Sequence, residues 1–317
     1  MATLKDIAKA TGVSMITVSR VINHPESVNE KTRIKVQKEI ARVNYHPNVL
    51  AKALVKNQSN IIYVYVSQFN YIKSPFFLAV VTGIGEALGE KGYSMLVKTS
   101  WYNEETCDGC ILMGFSNEEV ERVKALAKRK PVCILGSLDN INSVSINNYD
   151  GMKSLTNQVL SKGKKKIAYL TLKYNSPFVS ERYEGFKDAI KESHKKVKVD
   201  YLYAEQESNS AYLTIKEYIS KGKHPDVIMC TTDQLALGTL RALRERGIDV
   251  PGDIGVTGFD GFGLQDLTYP KLTTVHIPIY EAGKALADKI IALIEHKNTL
   301  PFTNTLMETF ILERESL

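Results

Sequence analysis

The first forty-five residues place their apolar positions at the spacing of short amphipathic helices. Leu4, Ile7 and Ala8 fall at i, i+3 and i+4, and Thr3 with Asp6 forms a capping-box pattern ahead of them. Gly12 ends this first helix. Ser14 then stands where a cap is needed for a second one, with Val18, Val21 and Ile22 facing one way and Met15, Ile16, Ser19 and Arg20 the other. A third helix is predicted from about 29 to 43, with Val36, Ile40 and Val43 as its buried stripe and Lys31, Arg33, Lys35 and Lys38 on its solvent side. Two short helices joined through a glycine turn and followed by a packing helix predict a helix-turn-helix, whose second helix is shaped to enter a DNA major groove.

From residue 61 the pattern changes. Apolar runs of strand length at 61–66, 94–99, 131–136, 166–172, 226–231 and 254–259 alternate with helix-like runs at 76–91, 150–162, 180–193, 209–221 and 233–247. Such alternation predicts an α/β body with parallel sheets, whose ligands bind at the carboxyl ends of the strands. Between the two patterns, 47–56 would make a helix of little more than two turns, too short to stand alone in water, and 56–60 reads as a linker. The chain thus divides into an all-α head (1–46), a hinge helix and linker (47–60) and an α/β body (61–317).

Charge sharpens this division. Residues 1–60 hold ten Lys and Arg against four Asp and Glu, whereas 61–317 hold 31 of each. A cationic head on a balanced body is the electrostatic footprint of docking on phosphate backbone. No apolar run approaches the roughly 20 residues that span a bilayer, and the chain opens without a secretory pattern, so a cytoplasmic protein with reduced thiols is expected. Of the four cysteines, Cys107 and Cys110 spell C-x-x-C, but no second pair or His cluster supplies the other ligands a structural zinc wants. The spacing is read as chance at a strand start, with no metal and no cofactor expected. Nucleotide-binding, serine-hydrolase and zincin motifs are absent from the sequence, which argues against an enzyme.

The head resembles the lactose repressor (LacI/GalR) family through Leu4-Lys5-Asp6-Ile7-Ala8, Val13-Ser14-x-x-Thr17-Val18-Ser19-Arg20-Val21-Ile22-Asn23, Asn44-Tyr45-His46-Pro47-Asn48 and Ala51-Lys52-Ala53-Leu54. The body resembles it through Ser74-Pro75-Phe76-Phe77, Arg182-x-x-Gly185, Thr231-Thr232-Asp233-x-x-Ala236-x-Gly238 and Gly258-Phe259-Asp260, nearly the whole chain. The resemblance implies base-edge contacts from Met15, Ile16 and Arg20, and phosphate contacts from Ser14, Thr17, Ser19 and Asn23. Further DNA contacts would come from Thr3, Asn48 and Ala51, and Leu54 of the hinge helix would wedge into the minor groove. It also implies a body built like a periplasmic sugar-binding protein, two similar subdomains crossed by three strands, with an effector in the cleft. Phe69, Tyr71, Phe76, Asp150, Arg182, Thr232 and Asp260 are its expected effector residues. A sugar suits the fork of donors on Arg182 and the acceptor on Asp260. Stacked aromatics would equally serve a purine.

The reading that follows is a homodimeric, ligand-responsive repressor on a palindromic operator. Its alternatives are a sugar-binding transport protein, or a regulator that senses a purine or a protein co-effector. Two departures stand out. Thr232 replaces the family's usual Asn, and the stretch 98–106 is too short for the helix the family places there. This shortening is expected to weaken the response to ligand while sparing operator binding.

Overall fold

A computed structural model describes residues 3–43, 45, 59–66, 75–100, 106–174 and 176–317. The chain separates into two compact units, 1–59 and 60–317.

The head contains α1 (Leu4–Thr11), α2 (Met15–Asn23) and α3 (Glu30–Arg42). Each start is fixed by a side chain that accepts from an otherwise orphaned amide. Thr3 and Asp6 close a reciprocal capping box, Ser14 Oγ accepts from Thr17 N at 3.1 Å, and Asn29 Oδ1 accepts from Thr32 N at 2.9 Å. Gly12 terminates α1 at φ +66°, in the left-handed region. Ile7, Ala8, Val18, Val21 and Val36 form the buried core, with Ile22, Ile40 and Val43 packed against it, as the apolar spacing predicts.

Among its described residues the body contains two six-stranded sheets. The first runs β11-β5-β4-β3-β1-β2, built from β1 (Ile61–Val66), β2 (Ser94–Lys98), β3 (Gly109–Met113), β4 (Val132–Leu135), β5 (Asn142–Ile146) and β11 (Asn304–Met307). The second runs β12-β10-β9-β8-β6-β7, built from β6 (Lys166–Leu172), β7 (Lys198–Ala204), β8 (Val227–Cys230), β9 (Gly255–Asp260), β10 (Thr273–His276) and β12 (Phe310–Leu312). Every pairing is parallel except β10 with β12. The chain passes between the sheets after β5, after β10 and between β11 and β12, the three crossings expected.

Among the described residues the α-helices of the body are α4 (Pro75–Glu90), α5 (Val120–Ala127), α6 (Asn148–Ser161), α7 (Pro177–Glu192), α8 (Ser208–Ser220), α9 (Asp233–Glu245) and α10 (Ile279–Glu295). Six of them pack in pairs, α4 with α10, α6 with α7 and α8 with α9, and two of the motif glycines owe their place to that packing. A Cβ on Gly185 of α7 would lie 2.2 Å from the Tyr149 carbonyl oxygen of α6, and one on Gly238 of α9 would lie 2.0 Å from that of Ser208 on α8. Gly185→Ala is therefore expected to destabilise the body by about 1–3 kcal/mol, because the clash is with backbone. That outweighs the gain of roughly 1 kcal/mol in helix propensity. Chemical denaturation of the variant checks it.

Between β2 and β3 the chain crosses β1 within residues 99–108, and the described part of that connection carries no α-helix. In the second subdomain α8 makes the corresponding passage, from β7 to β8. A parallel crossover normally takes a dozen or more residues. The described ends of this connection are fastened directly to the sheet. The hydroxyls of Tyr63 and Thr106 bond each other, Lys98 Nζ lies 3.7 Å from the Tyr63 ring centre, and Lys130 Nζ donates to the Cys107 carbonyl at 2.7 Å. Ten residues join β2 to β3, and Leu96 and Val97 of the edge strand β2 are substantially exposed.

The C-x-x-C pair joins the end of this connection, at Cys107, to β3, at Cys110. Cys107 and Cys110 are buried with their sulfurs 3.6 Å apart, and the described residues contain no group of three or more His, Cys, Asp or Glu able to hold a metal. The hydrogen bond with Cys110, assisted by the Lys130 ammonium, holds the Cys107 thiol below the usual thiol range. Burial pushes Cys133 and Cys230 up to about 12. Timed alkylation of the native protein, read by mass spectrometry, is expected to label Cys107 before either of those two.

Candidate DNA-reading face and effector site

The head presents one face that its fold does not use. Val18 and Val21 hold α2 against the core, and the 100° step of the helix then turns Met15, Ile16 and Arg20 outward. Met15 is 52% and Ile16 68% exposed, large apolar side chains in open solvent at the first turn of a helix. Ser14 and Thr17 share a hydrogen bond of 2.9 Å beside them, and Ser19 is half-buried. Thr3 directs its hydroxyl into the capping box, donating to Asp6 Oδ2 at 2.7 Å. Asn48, Ala51 and Leu54 lie outside the described residues, as does the side chain of Asn23. The arrangement can offer apolar contact to thymine methyls and a two-pronged donor to guanine.

In the body, the carboxyl ends of the strands converge on Arg182 of α7, which is almost wholly buried. Its Nε donates to Asn148 Oδ1 at 2.9 Å, its Nη1 to the Thr231 carbonyl, and the same Nη1 stands 3.2 Å from Asp260 Oδ1. The guanidinium plane lies over the Phe259 ring, 3.7 Å from its centre. A buried guanidinium is tolerable only when its donors are met in this way. Asp260 adopts φ +131°, a conformation that L residues avoid and that costs on the order of 1–3 kcal/mol, a pattern common where a side chain is aimed for function. Asn148 also donates to Glu181 Oε2 at 2.9 Å, and burial raises the pKa of that carboxyl.

Asp233 is a support for this group rather than a member of it. It accepts from Thr274 Oγ1 and from the Gly261 amide at 2.8 Å, and so fixes the turn that carries Asp260. Burial pushes it up to about 6, and pushes Asp260 to about 7 against the pull of the Arg182 charge. A carboxyl with a raised pKa holds its proton more tightly in the folded state. Its contribution to stability is present below about pH 4 and is lost as the pH rises through its folded pKa. Between about pH 4 and 6 the slope for one such group approaches 1.4 kcal/mol per pH unit, and Asp233→Asn should flatten the measured dependence of stability on pH by that share.

Other expected site residues are placed differently. Thr232 is the N-cap of α9, its hydroxyl accepting from Leu235 N at 3.2 Å. Asp150 is exposed in the first turn of α6, where it accepts from Asn147 Nδ2 at 2.9 Å. Phe76, on the first turn of α4, meets Phe262 of the other subdomain edge-on, ring centres 5.8 Å apart. Phe69 and Tyr71 lie outside the described residues. The sequence points to the segment 147–150 after β5 and selects Asp150 from it, whereas Asn148 of the same segment makes the contact with Arg182. Glu181 and Phe262 were missed, and nothing in the sequence marks Phe262 as a partner of Phe76.

Residues 3–48 match the family described as bacterial regulatory proteins, lacI family, and residues 156–317 match a periplasmic binding protein-like domain. The HTH-type transcriptional regulator RegA of Clostridium saccharobutylicum is 31% identical over 100% of this chain and 99% of its own length. The regulator YvdE of Bacillus subtilis is 31% identical over 92% of each. Among solved structures, the lac repressor dimer bound to operator and the anti-inducer ONPF aligns with a TM-score of 0.84 at 25% identity, covering 99% of this chain and 98% of that one. With a reading helix on a cationic head and a two-subdomain body of the periplasmic binding type, the chain belongs to the LacI family and is a bacterial transcriptional regulator.

Proposed function

We propose that this regulator is a repressor that binds a palindromic operator as a homodimer in the cytoplasm and is released by a small carbohydrate held at Arg182 and Asp260. The observation that carries the DNA reading is the exposure of Met15, Ile16 and Arg20 together on the capped first turns of α2. One head of this size gives limited affinity, and twofold pairing matches two half-sites about one helical turn apart. The lac repressor, a dimer on its operator, supports that assembly. Leu54 would wedge between base pairs, an unstacking cost of a few kcal/mol that is offset by the contacts a kinked duplex permits.

The effector reading rests on chemistry. A guanidinium, a carboxylate, an amide at Asn148 and a second carboxyl at Glu181 lie close together, a donor and acceptor set that satisfies adjacent hydroxyls directionally. The edge-on pair of Phe76 and Phe262 favours a purine as the second reading. Binding between the subdomains would shift their packing and destabilise the operator-bound hinge by a few kcal/mol. The reading includes no catalytic step.

Selection from a random duplex pool, repeated with sugars and purines as competitors, tests it. The expected result is a palindrome with thymine-rich positions whose binding a carbohydrate weakens. Failure to select any duplex at low salt would overturn the DNA reading, and release by purines alone would overturn the carbohydrate. Fluorescence of Trp101, the sole tryptophan, reports the expected weak response of the shortened subdomain. Full release at ordinary affinity would refute that weakening.

A further inference from the structure

The balanced composition of the body conceals a separation of charge. Three lysine runs, 162–166, 195–198 and 221–223, each precede a strand of the second sheet. Because β6, β7 and β8 are parallel and adjacent in the order β7-β6-β8, the fold brings all three to the same end of that sheet. This is the amino-terminal end of the strands, opposite to the end that carries Arg182 and Asp260. Nine lysines gather there, and outside them the body holds 22 Lys and Arg against 31 Asp and Glu.

The gathering is poorly compensated. Lys162 pairs with Glu313 at 2.7 Å, Lys221 with Glu217 at 2.6 Å and Lys223 with Asp200 at 3.4 Å. Asp226 accepts from the backbone amides of Lys165 and Lys166. Lys195 donates to the Leu160 carbonyl, and among the described residues none of Lys164, Lys165, Lys166, Lys195, Lys196 and Lys198 forms an ion pair within 4 Å, although the charge of Asp226 is felt by Lys164 and Lys166 and that of Asp200 by Lys198. Lys166 and Lys198 are direct neighbours across β6 and β7, like charges whose repulsion is destabilising. His194 and His224 are exposed beside them, and a cavity of about 320 Å³ opens between Lys166, Lys198, Lys223, His224, Asp200 and Tyr218.

We propose that this end of the second sheet is a second anion-binding surface, one that takes the phosphate backbone of a duplex DNA segment without regard to sequence. Three adjacent strands span about 10 Å before their lysines reach outward, wider than a single phosphate. A duplex presents a charge about every 1.7 Å along its axis, so several of these lysines can be met at once. A regulator held on DNA by its head also keeps further DNA at high effective concentration. The proposal extends the DNA-binding reading above but depends on different residues.

Lysine acylation of the full chain, read residue by residue by mass spectrometry with and without a short random-sequence duplex, tests it. At low salt the duplex is expected to slow modification of Lys164, Lys165, Lys166, Lys196 and Lys198 severalfold, and added salt should remove that protection. In the folded variant K165E/K196E/K198E, Lys164 and Lys166 should lose protection while Lys5, Lys9, Lys31 and Lys35 of the head keep theirs. Protection confined to the head would overturn the proposal and leave the head's role standing. Protection confined to the patch would do the reverse. Equal protection by inorganic phosphate alone, or unchanged protection in the variant, would also overturn it.

Discussion

Arg182→Met is expected to lower the stability of the body by about 3–5 kcal/mol and to abolish the response to effector. The guanidinium charge that pulls against the burial of the Asp260 carboxyl would be gone, and removing one partner of a buried pair leaves the other without its compensating group. Asn148 and the Thr231 carbonyl would lose their donors at the same time. Chemical denaturation gives the size of the effect. The double variant Arg182→Met/Asp260→Asn removes both charges and should recover part of the loss, the sign of a coupled pair. Operator binding should persist in that double variant while effector response stays absent. A single variant as stable as the parent would show that the guanidinium does not hold the strand ends together.

Arg20→Ala is expected to weaken operator binding without altering the fold. A bidentate contact to guanine is worth about 1–3 kcal/mol, and a palindrome carries it twice, so the loss amounts to about 2–6 kcal/mol, from roughly thirtyfold to more than ten-thousandfold in affinity. Arg20 is exposed and outside the head's core, so thermal melting of the head should be unchanged. Fluorescence anisotropy on the selected operator, and on copies substituted at each position, measures both affinity and discrimination. A variant that binds more weakly yet still discriminates every position would place Arg20 on phosphate and not on a base.

Some features of this protein are local, and local features are legible in a sequence. The three helices of the head follow from apolar spacing and from caps a few residues away, so their predicted bounds differ little from Leu4–Thr11, Met15–Asn23 and Glu30–Arg42. The exposure of Met15 and Ile16 follows from the same helical step. The strands of the body were readable where both faces are buried, as in Ile61–Val66 and Lys166–Leu172. Short or half-polar strands such as Asn142–Ile146 and the largely exposed edge strand Asn304–Met307 were not, because pairing with a neighbouring strand, and not an apolar run of their own, makes them strands.

The sequence by itself thus determined the cationic head, the outward-facing residues of its second helix, the α/β alternation and the short passage after β2. Only the tertiary structure decided which groups meet. Arg182 touches Asn148, Thr231 and Asp260 because four separate segments end at one place, and Thr232 caps a helix because its backbone, not its residue type, sets that task. Distance along the chain carries no information about such meetings. The same holds for charge: a count of 31 against 31 is blind to position, and parallel pairing of β6, β7 and β8 is what turns three scattered lysine runs into one surface.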